Sequence, residues 1–401
     1  MKAYIYDVMR TVRGKGSAAK GAMSILTPEH IGSQLLKEFR NKNQFDPALI
    51  EDLIMGCVTP IMDQGGDIAN TIAMTSGYGE HLAGVSINRF CSSGLEAVNQ
   101  AAAYVKSGFK RGAVLAGGIE VMSRAPMGSD MGFVLDPMVM MPTNFITQGM
   151  AADLIAAVEG YSREDLDALA VESNKRAGIA EKEGRFKSRI PIKDINGAIV
   201  LDYDENVRAN TTMEDLAKLN PSFEIHAKML GHEGIAIDRY PHLESVPSLH
   251  TPGNSSAIVD GAAIALIGNE EMGVALGMKP RAVIRAAALT STEKTIMLTG
   301  PGPASKLALK QAGMLATDID LYEINEAFAS VVLRFMSDLK LNHDNVNVNG
   351  GAMALGHPLG ATGCMILGTV LDELERTNKQ TGLVTLCVAG GMGVATIIER
   401  V

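Results

Sequence analysis

Gly84-Val85-Ser86-Ile87-Asn88-Arg89-Phe90-Cys91-Ser92-Ser93-Gly94-Leu95-Glu96-Ala97 reads as a strand, a turn with a thiol and the opening of a helix. Residues 84–87 are short, apolar and partly β-branched, which predicts a buried strand ending near Cys91. Leu95 to Val105 is Ala-rich with apolar residues at helical spacing. A thiol at such a junction lies beside free backbone N–H groups and the positive end of a helix dipole. Both stabilise a thiolate and any oxyanion formed next to it. The same position also suits a small buried core cysteine, and the rest of the chain decides between the two.

Working outward, the strand–turn–helix unit belongs to an internal repeat. Ala3-Tyr4-Ile5-Tyr6-Asp7 is echoed by Ala282-Val283-Ile284-Arg285-Ala286, and a helix follows each, Pro28 to Asn41 and Pro303 to Gly313. Two acidic turns lead into strands at Ile50-Glu51-Asp52-Leu53-Ile54-Met55-Gly56 and Thr317-Asp318-Ile319-Asp320-Leu321-Tyr322-Glu323. Ser92-Ser93-Gly94 matches Ala361-Thr362-Gly363 at a helix start. The strands Ala113 to Gly118 and Thr385 to Gly391 share a Gly-Gly ending. Five features in one order imply two β/α domains of similar topology, each a mixed sheet covered by helices. The expected division is 1–124 plus 244–271, then 272–401, with 125–243 inserted as a loop domain that caps the site. That insert carries Met127, Met131, Met138, Met140, Met141 and Met150 and a helix from Arg163 to Lys182. Clustered Met residues fill irregular cores, and they also suit a pocket for a flexible acyl chain.

Composition bounds the function. A chain of 401 residues with 46% hydrophobic and 20% charged residues is a folded protein of more than one domain. Its 42 glycines and lack of Trp suit tightly packed α/β layers. A net charge of −9 disfavours nucleic acid or an anionic membrane as main partner. No apolar run reaches the roughly 18 residues of a membrane span. The start of the chain has neither signal- nor transit-peptide character, so the expected location is cytoplasmic. The four cysteines, Cys57, Cys91, Cys364 and Cys387, show no CxxC or finger spacing, so no metal is expected. His226, His232, His242, His250 and His343 are irregularly spaced and read as structural.

Chemistry gathers in the second repeat. Asn325-Glu326-Ala327-Phe328 follows a strand, where the polar pair suits either a site or a helix cap. Asn349 to Gly363 surrounds His357 with glycines and Pro358, at the place Cys91 occupies in the first repeat. Held at a helix start, His357 should have lowered basicity and favour its proton-accepting form. If a pseudo-two-fold axis relates the halves, Cys91 meets His357, a pairing that activates thiols. Cys387-Val388-Ala389-Gly390-Gly391-Met392-Gly393 sets a second thiol before a glycine turn whose N–H groups can face an oxyanion. Two thiols, one His and one Asn point to acyl transfer through a thioester.

The four motifs around Cys91, Asn325, His357 and Cys387 together resemble the thiolases across essentially the whole chain. The resemblance implies the five-layered α-β-α-β-α thiolase fold and a homodimer or homotetramer. It implies Cys91 as the acylated nucleophile and His357 as its base. His357, with a water held by Asn325, would form one oxyanion hole. Cys387 would be the acid/base, the N–H groups of Cys91 and Ala389 in the Ala389-Gly390 turn a second oxyanion hole, and Ser256 a contact for the pantetheine of coenzyme A. Coenzyme A and acyl-CoA are then substrates, with no permanently bound cofactor. Ala389 stands where the family usually has Gly, so its dihedrals should be ordinary. Thr147-Gln148-Gly149-Met150 stands where biosynthetic members carry His-Met-Gly, which, together with Arg89, points to degradative 3-ketoacyl-CoA thiolases and to a hydratase–dehydrogenase α-subunit as possible partner. Acetoacetyl-CoA synthesis is the nearest alternative, and a ketosynthase or a non-catalytic CoA- or lipid-binding subunit stand further off. Lys218 or Lys228 are candidates for the adenine-side phosphates.

Overall fold

Nine strands form the main path of the large sheet: β1 (Tyr4–Thr11), β2 (Ile50–Gly56), β3 (Gly84–Ile87), β4 (Ala113–Val121), β5 (Val259–Gly268), β6 (Ala282–Ser291), β7 (Leu321–Ile324), β8 (Thr381–Val388) and β9 (Met392–Arg400). The structure is a computed structural model, and it describes residues 1–130, 132 and 136–401. From the centre outward, one half of the sheet runs β1-β5-β4-β2-β3 and the other β6-β9-β8-β7. β1 and β6 join them through the antiparallel pairs Tyr4↔Val283 and Ile5↔Ala282. In each half two antiparallel pairings are followed by a parallel one, β4 on β2 in the first and β8 on β7 in the second. Where the first half ends in β3, parallel to β2, the second ends in the parallel bridge Tyr322↔Val346. The five echoes read from the sequence fall at equivalent places in this order.

Side chains alternate across the strands and sort into layers. Tyr6, Met9, Leu53 and Leu115 face outward onto α1 (Pro28–Asn43) and α2 (Ile68–Thr75). Ile5, Val8, Ile54 and Val114 face inward onto α3 (Ser93–Ser107). There they meet a helix of the second half, and Ile284, Leu321, Val384 and Ile398 pack onto the same central cluster from the other side. That helix and its neighbours follow α4 (Pro137–Thr143), α5 (Gln148–Glu159) and α6 (Arg163–Lys182) in the chain: α7 (Pro301–Ala312), α8 (Ala329–Leu339) and α9 (Leu359–Thr377). α9 lies beside α3 in the middle and touches strands of both halves, while α7 and α8 cover the remaining outer face. The result is the α-β-α-β-α layering.

Local chemistry sets the helix ends. Thr27 caps α1 by accepting from the N–H of His30, Pro28 occupies its first turn, and Gln44 ends it in the left-handed conformation. Ser162 and Asp165 form a reciprocal capping box at the start of α6. α3 ends at left-handed Gly108.

Two expectations are corrected. β3 is not buried: it pairs with β2 alone, and Val85 is 43% exposed on this edge strand. Met127, Met138 and Met141 of the Met-rich stretch do not fill a core: they are exposed. α4 leaves the last two at its surface because its seven residues end at Asn144 before a packing face develops. Met150, on α5, does pack in the core. Met131 and the side chain of His226 lie outside the described residues.

Candidate active site

Cys91 sits in a turn held from both sides. Asn88 accepts from the Phe90 N–H at 2.8 Å and donates to Val58 O at 2.9 Å. Ser93 Oγ accepts from the Arg89 N–H at 2.8 Å and donates to Phe90 O at 2.6 Å. Between them Phe90 takes φ +44°, a conformation costly for a non-glycine residue, so the turn is over-determined at the residue before the thiol. Cys91 itself is buried against Val58, Met122 and Leu359.

The Gln148 side chain, the Cys91 N–H and the Ala389 N–H act to lower the Cys91 thiol. Burial nevertheless dominates and pushes it up to about 11, with a smaller push from the Glu120 carboxylate. The expected depressed thiol is therefore corrected. Helix-start donors are present, but a fully enclosed sulfur loses more from leaving water than they return. Cys387 lies close enough to feel the charge of Cys91 and is itself driven above the ordinary thiol range, first by burial. In its turn the left-handed residues are Gly390 at +73° and Gly391 at +82°, so Ala389 escapes the positive φ that would have demanded glycine. The Gly390 N–H is directed at Met297 Sδ, 3.4 Å away.

His357 follows Gly356, whose φ of +95° and closeness to Val259 exclude a side chain there. Its Nδ1 lies 2.5 Å from Thr362 Oγ1, and Thr362 donates onward to Pro358 O at 3.2 Å. Thr362 therefore accepts the Nδ1 proton, leaving the Nε2 lone pair toward Asn325 Nδ2 at 3.2 Å. Burial, helped by the Arg13 guanidinium, lowers His357 to about 3. The low basicity expected from the sequence is present, but burial causes it. Asn325 is anchored through its N–H to Thr385 O, and its Oδ1 is buried without a partner.

The segment holding Ser256 ties into the same place. Ser256 N–H donates to Ala327 O at 2.9 Å, and His357 N–H donates to Ala257 O at 2.9 Å. Thus Cys91, Cys387 and Ala389 form one group, and His357, Asn325 and the Ser256 segment another. α9 joins them: Leu359, two residues beyond His357, packs on Cys91, and Gly94 of α3 lies against Gly360 O. Lys218 and Lys228 are exposed and pair with Glu214 and Glu224 one turn earlier on their own helices.

Several participants were missed. From the sequence Thr362 reads only as a helix-start match, although it stands in the first turn of α9, five residues after His357. Buried Glu120 accepts from the N–H groups of Val58, Thr59 and Gly360 and from Gln64, so it pins the start of α9 to the first half. No short motif marks Arg13, whose Nε and Nη1 are buried without partners. Among the described residues no cluster of His, Cys, Asp and Glu suits a metal ion.

A neutral imidazole beside an amide and two enclosed thiols suit acyl transfer through a thioester. Comparison with known proteins agrees in class. Residues 4–229 match the thiolase N-terminal domain and residues 278–400 the thiolase C-terminal domain. The chain belongs to the thiolase family. It is 37% identical over 405 residues to a 3-ketoacyl-CoA thiolase of Escherichia fergusonii, covering 99% of each chain. It is 36% identical to those of Cronobacter sakazakii and Shewanella denitrificans, covering 100% of each chain. The crystal structure of the Bacillus anthracis acetyl-CoA acetyltransferase superposes with a TM-score of 0.85 at 31% identity, covering 100% of this chain and 99% of that one.

Proposed function

We propose that this protein is a 3-ketoacyl-CoA thiolase that releases acetyl-CoA and an acyl-CoA two carbons shorter in fatty-acid β-oxidation. The observation that carries the reading is that Cys91 packs on Leu359 at the start of α9, two residues beyond His357, whose Nε2 lies 3.2 Å from Asn325 Nδ2. The Cys91 proton passes to His357 Nε2 as Sγ attacks the C3 carbonyl. The C2–C3 bond then breaks, its electron pair leaves as the acetyl-CoA enolate, and Cys387 protonates C2. In the second half the Cys387 thiolate takes the proton of coenzyme A, whose sulfur attacks the acyl-Cys91 carbonyl. Cys91 leaves and regains its proton from His357. His357 with a water held by Asn325 forms one oxyanion hole, and the N–H groups of Cys91 and Ala389 form the second. Ser256 meets the pantetheine arm, residues 125–243 form the cap, and coenzyme A and acyl-CoA are substrates rather than resident cofactors.

Intact-mass measurement after brief exposure to a 3-ketoacyl-CoA tests the nucleophile. The expected result is one acyl adduct on the native chain and none on Cys91→Ala; an undiminished adduct on that variant refutes the assignment. Synthesis of acetoacetyl-CoA is the second reading, favoured by the likeness to the Bacillus anthracis acetyltransferase. Turnover of acetoacetyl-CoA against a long 3-ketoacyl-CoA separates the two, and no activity above four carbons would reject the degradative one. The open, partly apolar edge of β3 supports assembly as a homodimer or homotetramer. A hydratase–dehydrogenase α-subunit is the further partner to seek by co-purification.

A further inference from the structure

Asn325 enters the proposed reaction, yet Glu326 beside it is only 1% exposed and carries an ionisable group that the reaction does not use. Its carboxylate joins three segments. Oε1 accepts from Asn347 Nδ2 at 2.9 Å, and Oε2 accepts from Ser173 Oγ at 2.6 Å and from the Met353 N–H at 3.1 Å. Ser173, on α6 of the inserted stretch, also accepts from the Gly351 N–H at 3.0 Å. A Cβ on Gly351 would stand 2.3 Å from Glu326 Cδ, so a side chain there would push the carboxylate away. Asn347 is fixed in turn at the end of β7: its Oδ1 accepts from the Ile324 N–H and its Nδ2 donates to Ile324 O, each at 2.9 Å. The loop holding Met353 runs through the short helix Ala352–Leu355 to Gly356 and His357. The carboxylate thus ties the strand end that carries Asn325 to the loop that carries His357, whose Nε2 lies 3.2 Å from Asn325 Nδ2.

We infer that Glu326 is a positioning residue: its carboxylate, held by Asn347 and by Ser173 of the inserted stretch, sets Asn325 against His357. The donor pattern demands a carboxylate. Asn347 cannot turn its amide over, because Ile324 offers an N–H to one side of it and a carbonyl to the other. Met353 offers a backbone N–H, which only donates. Each carboxylate oxygen therefore faces one N–H group that cannot change its role. An amide at this position has a single oxygen, so either way round its own NH2 meets Asn347 or Met353 donor to donor. Burial raises Glu326 while the same three donors lower it, and with every neighbour donating, the site accommodates the ionised form. The inference rests on the Asn325–His357 pair acting in the reaction.

The test measures kcat and KM for 3-ketoacyl-CoA thiolysis in native protein, Glu326→Gln, Asn325→Ala and the double variant, with a thermal melt of each. Two facing N–H groups must part by about half an ångström, and a misplacement of about 1 Å costs on the order of 10²-fold in rate. Glu326→Gln should therefore lower kcat about tenfold with KM little changed, and lower it little further once Asn325 is alanine. Ser173→Ala removes one donor from the carboxylate and the acceptor of the Gly351 N–H, so it should act in the same direction by a smaller factor. If Glu326→Gln does not fold, Ser173→Ala is judged by the same criteria. Native kcat in the folded variant overturns the inference, and so does a loss confined to KM. An equal loss on the Asn325→Ala background also overturns it, because the effect would then not pass through Asn325. If Asn325→Ala itself keeps native kcat, the oxyanion reading fails and the inference with it, whereas a slow Asn325→Ala beside a native-like Glu326→Gln rejects Glu326 alone.

Discussion

Gly94→Ala probes whether the crossing of α3 and α9 sets the active geometry. Gly94 lies three residues beyond Cys91, and Gly360 lies three beyond His357. A Cβ on Gly94 would stand 2.6 Å from Gly360 O, whereas ordinary contact begins near 3.4 Å. The difference asks for a retreat of about 0.8 Å. Gly360 has little room to make it: its N–H is bound to Glu120 at 3.0 Å, and its own Cβ position is 2.6 Å from Gly56 O and 2.7 Å from Ile119 O. Alanine improves helix propensity by about 1 kcal/mol, but overpacking of this kind costs about 1–3 kcal/mol, so the clash should win. The displacement falls where α3 and α9 meet, three residues from Cys91 and three from His357, and an error near 1 Å in the relative placing of reacting groups costs on the order of 10²-fold in rate. The expected variant is folded, melts a few degrees lower and loses about 10²-fold in kcat/KM for 3-ketoacyl-CoA thiolysis. Gly234→Ala is the control, because that helix glycine has nothing within 4 Å and should gain stability without losing activity. Native kcat/KM in Gly94→Ala would show that the two helix starts can separate freely, and the geometric argument would fall.

Three further outcomes follow from the same atoms. Thr362→Val leaves the His357 Nδ1–H without its acceptor, so kcat should fall at least tenfold while Thr362→Ser keeps it; equal rates in all three proteins would remove Thr362 from the tautomer argument. Asn325→Ala should lower kcat by about 10²–10³ with far less change in KM, as for loss of an oxyanion donor, and steady-state kinetics decides it. His357 is held at about 3 in the folded chain against 6.5 unfolded, so the folded state binds fewer protons between those values. Stability is thus fully present above about pH 6.5 and lost as pH falls, by about 2 kcal/mol from this group at pH 5. Urea unfolding of native and His357→Asn protein should differ in pH slope by that amount. His343, lowered to about 4 by burial and by Arg176, contributes equally to both chains and cancels.

Repeat order and the chemical motifs were legible in the sequence because they are local. A strand ending in Gly-Gly, or a His between glycines, announces its own backbone. The joining of β1 to β6, the edge position of β3 and the surface place of Met138 and Met141 were not legible, since each depends on what lies across space. The same limit explains the thiol. Donors at the start of α3 can be read from Cys91-Ser92-Ser93-Gly94, but the enclosure that outweighs them is built by Val58, Met122 and Leu359 from three other segments.

The two shifts together define the resting state. With Cys91 raised to about 11 and His357 lowered to about 3, the stable form near pH 7 is a neutral thiol and a neutral imidazole rather than a thiolate–imidazolium pair. On the proposed assignment, transfer of the Cys91 proton to His357 is uphill until something compensates the new charges. On the same proposal, a substrate carbonyl over the Cys91 and Ala389 N–H groups would supply that compensation, because negative charge would move from sulfur to an oxygen facing fixed donors. Such a site should react slowly with small alkylating agents and rapidly with its own thioester. A competitive, unreactive CoA thioester should therefore slow acylation without speeding alkylation of Cys91 by iodoacetamide. Acceleration of alkylation by that ligand would mean that binding alone forms the thiolate, and would place the activation in the pocket instead of in the developing oxyanion.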